Sequence, residues 1–357
     1  VHSPSYPFAQ SRNLLYRKVT MNTTKNTLLF SCTALLFIIA LIADLCIGSI
    51  RISPAQLWQA FTQNNDNGLW PILWSFRLPK AATACITGAG LAVAGQLMQT
   101  LFANPLAGPY VLGISSGAGL GVALLLLGST FFPSWIMGGI WVQIVAAIVG
   151  ALVVMLLVLL VSKRTSDTVS LLLVGMMFGS ISGALINVLQ SISNPEALKM
   201  YIVWSMGSLG AVTWDMWDIM ASIITIGLIS ALLLCKRLNA MLLGENYATG
   251  LGISMGWTRT WIILTTCILA ATTTAFTGPI AFIGMAVPHI AKGIFKTSDH
   301  RIILPACILM GATLTMLCDC FTQLPISEYM LPINAVSSLI GAPIILWVII
   351  KNKHLHQ

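Results

Sequence analysis

The sequence predicts an all-α, polytopic membrane protein of about ten transmembrane helices with both termini cytoplasmic, and three observations predict it. Of 357 residues, 57% are hydrophobic and 8% charged, against roughly 25% charged in an ordinary globular chain. The stretch from Ala81 to Ser162 contains no Asp, Glu, Lys or Arg, and a run that long cannot fold in water without displaying a large apolar surface. The cations lie in short clusters between apolar runs, as expected where Lys and Arg mark the cytoplasmic ends of membrane helices. A net charge of +8 otherwise invites a nucleic-acid partner, which this distribution excludes; the expected medium is the lipid bilayer.

The first 26 residues are polar and carry Arg12, Arg17, Lys18 and Lys25. The apolar run from Thr27 to about Ile47 exceeds the roughly 7 to 15 residues of a secretory signal, and no small-residue cleavage site follows, so it reads as an uncleaved first helix. The chain opens with Val and its first Met is Met21, so residues 1–20 are expected to be an upstream extension or tail. Later spans of roughly 20 residues fit 78–102, 110–128, 140–162, 169–191, 216–235, 259–277, 279–296, 302–322 and 332–350. The layout is then a cytoplasmic tail over 1–26, a transmembrane domain over 27–351 and a cytoplasmic tail over 352–357.

Ten spans put both ends on one side, and the loop charges say which. Fourteen Lys and Arg fall in the loops on the side of the termini; Arg51, Arg77, Lys80 and Lys199 fall on the other. That excess places the termini in the cytoplasm. Trp58, Trp70, Trp74, Trp135, Trp141, Trp204, Trp214 and Trp217 then lie toward the outer interface, with Trp257, Trp261 and Trp347 toward the inner one, as indoles prefer.

Residues that carry chemistry are sparse. Cys32, Cys85, Cys235, Cys267 and Cys307 are isolated in or beside apolar runs, and Cys318 and Cys320 point to different faces of a helix; no metal site is expected. Gly113, Gly117 and Gly121, and again Gly175, Gly179 and Gly183, recur at a spacing of four, which lets helix backbones approach closely in lipid. No phosphate-binding G-x-x-x-x-G-K-[ST] occurs, so no catalytic residue and no bound cofactor is expected, and any ATP is hydrolysed by another chain. Asp44 and Asp319 sit near predicted helix ends, where an ionised carboxylate costs less than at mid-membrane. His289 lies near the inner boundary, either as a structural group or as a ligand for haem iron.

Four segments together carry a family resemblance: RLPKAATACITGAGLAVAGQLMQTLFANPLAGPYVLGISSGAGLG from Arg77, LLLVGMMFGS from Leu171, GPIAFIGMAVPHIAKGIFKTSDHRIILP from Gly278, and LPINAVSSLIGAPIILW from Leu331. The chain resembles, from about Ile52 to Lys351, the permease subunits of ABC importers for iron chelates, haem or cobalamin. That family's fold has ten helices, in agreement with the hydropathy count. The resemblance implies a homodimer with a central path, two cytoplasmic ATPase subunits that hold ATP and Mg, an external binding protein, and residence in a bacterial cytoplasmic (inner) membrane.

It also assigns residues. Arg77 and Lys80 match basic positions that receive acidic groups of the binding protein; the alternative is that both snorkel to the headgroups. Gln323 stands where some relatives have a further basic residue. The loop from Asn239 to Gly252 matches the segment that fits a groove on the ATPase, which makes Leu242, Leu243, Gly244, Glu245, Tyr247, Ala248 and Leu251 coupling candidates, with Gly244, Gly250 and Gly252 permitting sharp turns. Thr168 and Val169 match the cytoplasmic gate, and Met176, Met177 and Phe178 are candidates to line the path. Iron chelates come first among cargoes, as the family's commonest. The alternative function, a gradient-driven secondary transporter, requires carboxylates near the bilayer midplane, of which this chain has few.

Overall fold

The computed structural model describes residues 7–48, 50–63, 69–128, 139–162, 164, 168–323 and 331–353, and among them every regular element is helical. Seven helices are long and apolar enough to cross a membrane, and three shorter apolar ones, Ile114–Leu127, Ile283–Phe295 and Ile333–Leu346, fall at the other three predicted spans.

Helix α1 (Pro7–Cys46) runs through the polar stretch before residue 26 and is continuous with the span Thr24–Cys46. Neither Gly nor Pro interrupts residues 8–46, so nothing local stops helix propagation. Residues 1–6 and 354–357 of the expected tails lie outside the described residues. On the outer side, α2 (Pro54–Gln63) opens with a reciprocal cap: Gln56 N–H donates to Ser53 Oγ at 3.2 Å and Ser53 N–H to Gln56 Oε1 at 2.9 Å. Its Leu57 and Ala60 pack with Leu45, Ile52 and Leu73.

The second span is a short α3 (Leu69–Ile72), a π-helical turn at Leu73–Arg77 and α4 (Leu78–Leu101). Pro79 accounts for the wide turn: it has no N–H to donate to the preceding turn and its ring would strike a carbonyl there, so the helix opens to admit it. Helix α4 and α12 (Met255–Thr277) are the most buried spans. The run AATACITGAGLAVAG explains α4's central place, because its small residues admit other backbones. A Cβ on Gly88 or Gly95 would strike the carbonyl of Gly311 or Gly284; Gly311 lies on α14 (His300–Thr322) and Gly284 on α13 (Ile283–Phe295).

Around this centre stand α5 (Ile114–Leu127), α6 (Ile140–Ser162), α7 (Thr168–Ile192), α9 (Trp214–Leu233) and α15 (Ile333–Lys353). The outer-side α8 (Pro195–Ser205) starts at Pro195 with Asn194 capping Ala197 N–H at 2.8 Å. Two spans are shorter than predicted. The predicted 279–296 becomes a 13-residue α13, about 20 Å long against a hydrocarbon core of about 30 Å. The residues before it, Gly278–Phe282, are unwound, with Gly278 at φ 73° and Phe282 at φ 66°. Protein groups satisfy this backbone: Tyr110 donates its hydroxyl to Ile280 O at 2.6 Å, and Ala281 N–H donates to Asn334 Oδ1 at 3.1 Å. The predicted 110–128 likewise begins with a 3₁₀ turn, Pro109–Leu112, and becomes helical at Ile114.

The glycine rows behave unequally. Gly113 is in the left-handed region at φ 73° and caps α5, with Gly175 O 2.9 Å from where its Cβ would lie. Gly117 meets Gly150 O at 2.7 Å, Gly121 meets Ala146, and Gly175 meets Val111 O at 2.6 Å, each measured from the position of an added Cβ. Gly179 makes only ordinary contacts, and Gly183 faces open space within this chain. Packing by small residues therefore covers Gly113, Gly117, Gly121 and Gly175 and does not extend to Gly183, because at that level Ile186 of α7 reaches α5 at Gly119 and Gly183 is off the contacting face.

Candidate functional site: an outer cavity and an inner coupling segment

At the outer end, α1, α4 and α14 bring together charges that are far apart in sequence. Lys80 Nζ lies 2.9 Å from Asp319 Oδ2, with the side chains 18% and 3% exposed. Gln323 donates its amide to the same oxygen at 2.8 Å. Buried Asp44 is in hydrogen-bonding contact with Asp319, and Cys320 Sγ lies 3.8 Å from it. Arg77 turns back over the end of α1 and donates to the carbonyls of Leu45 at 2.5 Å, Ile47 at 3.5 Å and Ile50. Those carbonyls follow the last helical turn and lack intrahelical partners, so the guanidinium fork closes the helix end.

Neither predicted docking cation is therefore free in the structure. Both are half-buried and held by groups of the same chain. They nevertheless line a cavity of about 560 Å³ that also reaches Phe76, Met206, Asp319 and Gln323, and that cavity opens on the predicted outer side.

At the inner end, α10 (Cys235–Met241) and α11 (Glu245–Gly250) form a compact pair between α9 and α12. Gly244 at φ 102° and Gly252 at φ 81° make the turns on either side of α11, a conformation in which any side chain is strained. The seven coupling candidates divide by direction. Leu242, Leu243, Tyr247 and Leu251 are exposed, Leu243 by 64%; large apolar groups gathered on and beside one short helix outside the spans are the kind of patch that marks a contact surface. Ala248 is fully buried beneath them. Glu245 accepts from Arg259 Nη2 at 2.6 and 2.8 Å, so it holds α11 onto α12 while its side chain remains 47% exposed.

The gate candidates Thr168 and Val169 open α7, with Val169 exposed; residues 165–167, which connect them to α6, lie outside the described residues. On the same helix Met176 and Met177 point away from the chain, Met177 being 63% exposed, whereas Phe178 packs against the core. His289 Nε2 lies 2.6 Å from Pro105 O, which gives it a structural partner.

Sequence reasoning missed His300, which is fully buried. Its Nδ1 lies 2.8 Å from Asn239 Oδ1, and its Nε2 lies 2.8 Å from Thr100 Oγ1 and 3.1 Å from Gln96 Nε2. Asp299 caps α14 by accepting from Arg301 N–H at 2.9 Å and accepts from Asn239 Nδ2 at 2.6 Å. Burial opposes its charge, but these donors prevail and hold the carboxyl below the usual range. The Asp-His pair at a helix start was the available signal, since Asp is a preferred N-cap.

The model of the FecCD transport family matches residues 35–351. A curated relative, the vitamin B12 import system permease protein BtuC of Shigella flexneri, is 36% identical over 324 residues, covering 90% of this chain and 94% of the relative. BtuC of Escherichia coli K12 is 35% identical over the same shares. Among solved structures, a metal-chelate type ABC transporter in an inward-facing conformation superimposes with a TM-score of 0.78 at 28% identity, covering 91% of this chain and 99% of that one. PsaBC from Streptococcus pneumoniae, at 17% identity and a TM-score of 0.53 over 76% of this chain and 90% of that one, shares the fold.

Proposed function

The chain belongs to the FecCD transport family, as an ABC importer permease of that type, and on that premise we propose that it moves a bulky metal chelate inward across a bacterial cytoplasmic membrane. Two copies enclose the path, ATPase subunits bind the inner segment, and a binding protein docks over the outer cavity. The observation that carries this reading is the exposed apolar group of Tyr247 on α11 with Leu243 and Leu251 in the turns beside it, anchored through Glu245 and Arg259 to a span that reaches the protein centre. A push on α11 therefore reaches the core. The outward face of α7, with Met176 and Met177, supports a path between copies: flexible thioethers give a smooth wall that binds cargo weakly.

Arg77 and Lys80 are the docking cations in this reading. Their internal partners hold them in place before the binding protein arrives, which reduces the ordering cost of association. Contacts of this kind weaken as salt rises. Cobalamin is the first cargo to test, because the B12 permeases are the curated relatives at 36% and 35% identity; ferric siderophores and haem follow. Deletion of the chain is expected to abolish growth dependent on one of these compounds and spare the others, and wild-type growth on all three would count against the reading.

Replacing Leu243 or Tyr247 by Asp is expected to reduce recovery of the ATPase with the purified chain by about tenfold or more, as loss of a central interface anchor does. Co-purification at matched chain yield measures it. Undiminished recovery for both variants would remove the ridge from the interface.

A further inference from the structure

We propose that His300 is the joint that passes movement of the α10–α11 segment to α4 and α14, and through that helix pair to the outer cavity. The proposal rests on the importer reading and adds a route of transmission to it. Its first ground is the direction of the hydrogen bonds. The Asp299 carboxylate only accepts, so the Asn239 amide must present its NH2 there and its Oδ1 to His300. An amide oxygen also only accepts, so Nδ1 of His300 carries a proton. That oxygen takes the His300 backbone N–H as well, at 2.9 Å. In the neutral ring Nε2 then offers its single lone pair to α4, to the Thr100 hydroxyl at 2.8 Å or the Gln96 amide at 3.1 Å. One ring donates to α10 and accepts from α4, while its own backbone begins α14.

The second ground is burial. With His300 and Gln96 sealed from solvent, water cannot replace either link, and a displaced partner leaves a buried polar group unpaired. The three elements therefore shift together. The third is the rigidity of what lies beyond. Helices α4 and α14 touch backbone to backbone at Gly88 and Gly311 and are tied again at the far end by Lys80 and Asp319 at 2.9 Å. A displacement at the inner end is carried along about 36 Å of α4 to residues that line the outer cavity.

His300→Asn, His300→Gln and Thr100→Val separate the links. Asparagine retains a donor near the Nδ1 position and loses the reach to α4; glutamine reaches α4 and loses the donor to Asn239; valine removes the α4 hydroxyl. Each variant is purified with its ATPase subunits, and ATP hydrolysis is measured alongside the distance between spin labels at Phe76 and Met206, before and after trapping with ATP and vanadate. The expected result is that hydrolysis persists while the nucleotide-dependent change at the outer cavity weakens by roughly fivefold or more, and that Asn239→Ala added to His300→Asn causes no further loss. Outer movement equal to wild type in all three variants, or hydrolysis and movement falling in step, would overturn the proposal. If the wild-type chain recovers no ATPase, the importer reading fails instead, before any variant is made.

Discussion

Replacing Lys80 by Met is expected to destabilise the chain severely, by roughly 3–5 kcal/mol. Lys80 is the cation in contact with Asp319, itself almost fully buried, and buried Asp44 adjoins the same carboxylate. Removing the ammonium leaves the buried Asp319 carboxylate without its counter-charge, beside a second buried acid. Gln323 continues to donate to Asp319, but a neutral donor does not neutralise it. The measurement is the unfolding midpoint of the purified chain in mild detergent, followed by tryptophan fluorescence and size exclusion. Lys80→Met combined with Asp319→Leu is expected to recover much of the loss, because an apolar pair of similar size often replaces a buried ion pair without cost. A midpoint unchanged in Lys80→Met would show the pair to be dispensable. Charge reversal at Arg77 and Lys80 is correspondingly a poor test of docking: a Glu at position 80 would add a third acid to the cluster, and docking would fail together with folding. Lys80→Arg, which keeps the charge, is the suitable variant for that question.

Gly95→Val is expected to prevent the native packing of α4 against α13. The Cβ at Gly95 would fall on the carbonyl of Gly284, and a backbone group inside a helix cannot swing away as a side chain can. Overpacking of a tight core costs roughly 1–3 kcal/mol where side chains adjust, and more where they cannot. Gly90 supplies the control on the same helix: its added Cβ meets side-chain methyls of Ile224 and Thr273 at 3.3 and 3.5 Å, so Gly90→Ala is expected to be tolerated far better. The yield of monodisperse protein in detergent distinguishes them. Equal yields for Gly95→Val and wild type would contradict the close α4–α13 contact.

The span positions were legible in the sequence because hydropathy and the placement of Lys and Arg report directly on lipid and water. The turns of the segment from Asn239 to Gly252 were legible through its glycines, since Gly244 and Gly252 do take the left-handed conformation. Direction was not legible. Lys80 at a membrane boundary reads the same whether it snorkels outward or pairs inward, and only the fold brings it to Asp319. Glu245 in an exposed loop gives no sign of its fork from Arg259, nor Phe178 any sign that it turns inward while Met176 and Met177 do not. The shortening of α13 was hidden because Gly278–Phe282 is as apolar as a helix, and its unwinding depends on Tyr110 and Asn334 from distant segments. His300 escaped for the same reason: its partners come from α4 and α10, and no local pattern joins them.

The measurement that tests the central claim most directly is purification of the tagged chain from its native membrane in mild detergent, with mass spectrometry of what accompanies it. The account predicts recovery of an ATPase bearing a nucleotide-binding motif, near one per chain, and loss of that ATPase when Leu243 or Tyr247 is replaced by Asp. Recovery of this chain alone, under conditions that keep a known importer intact, would contradict it.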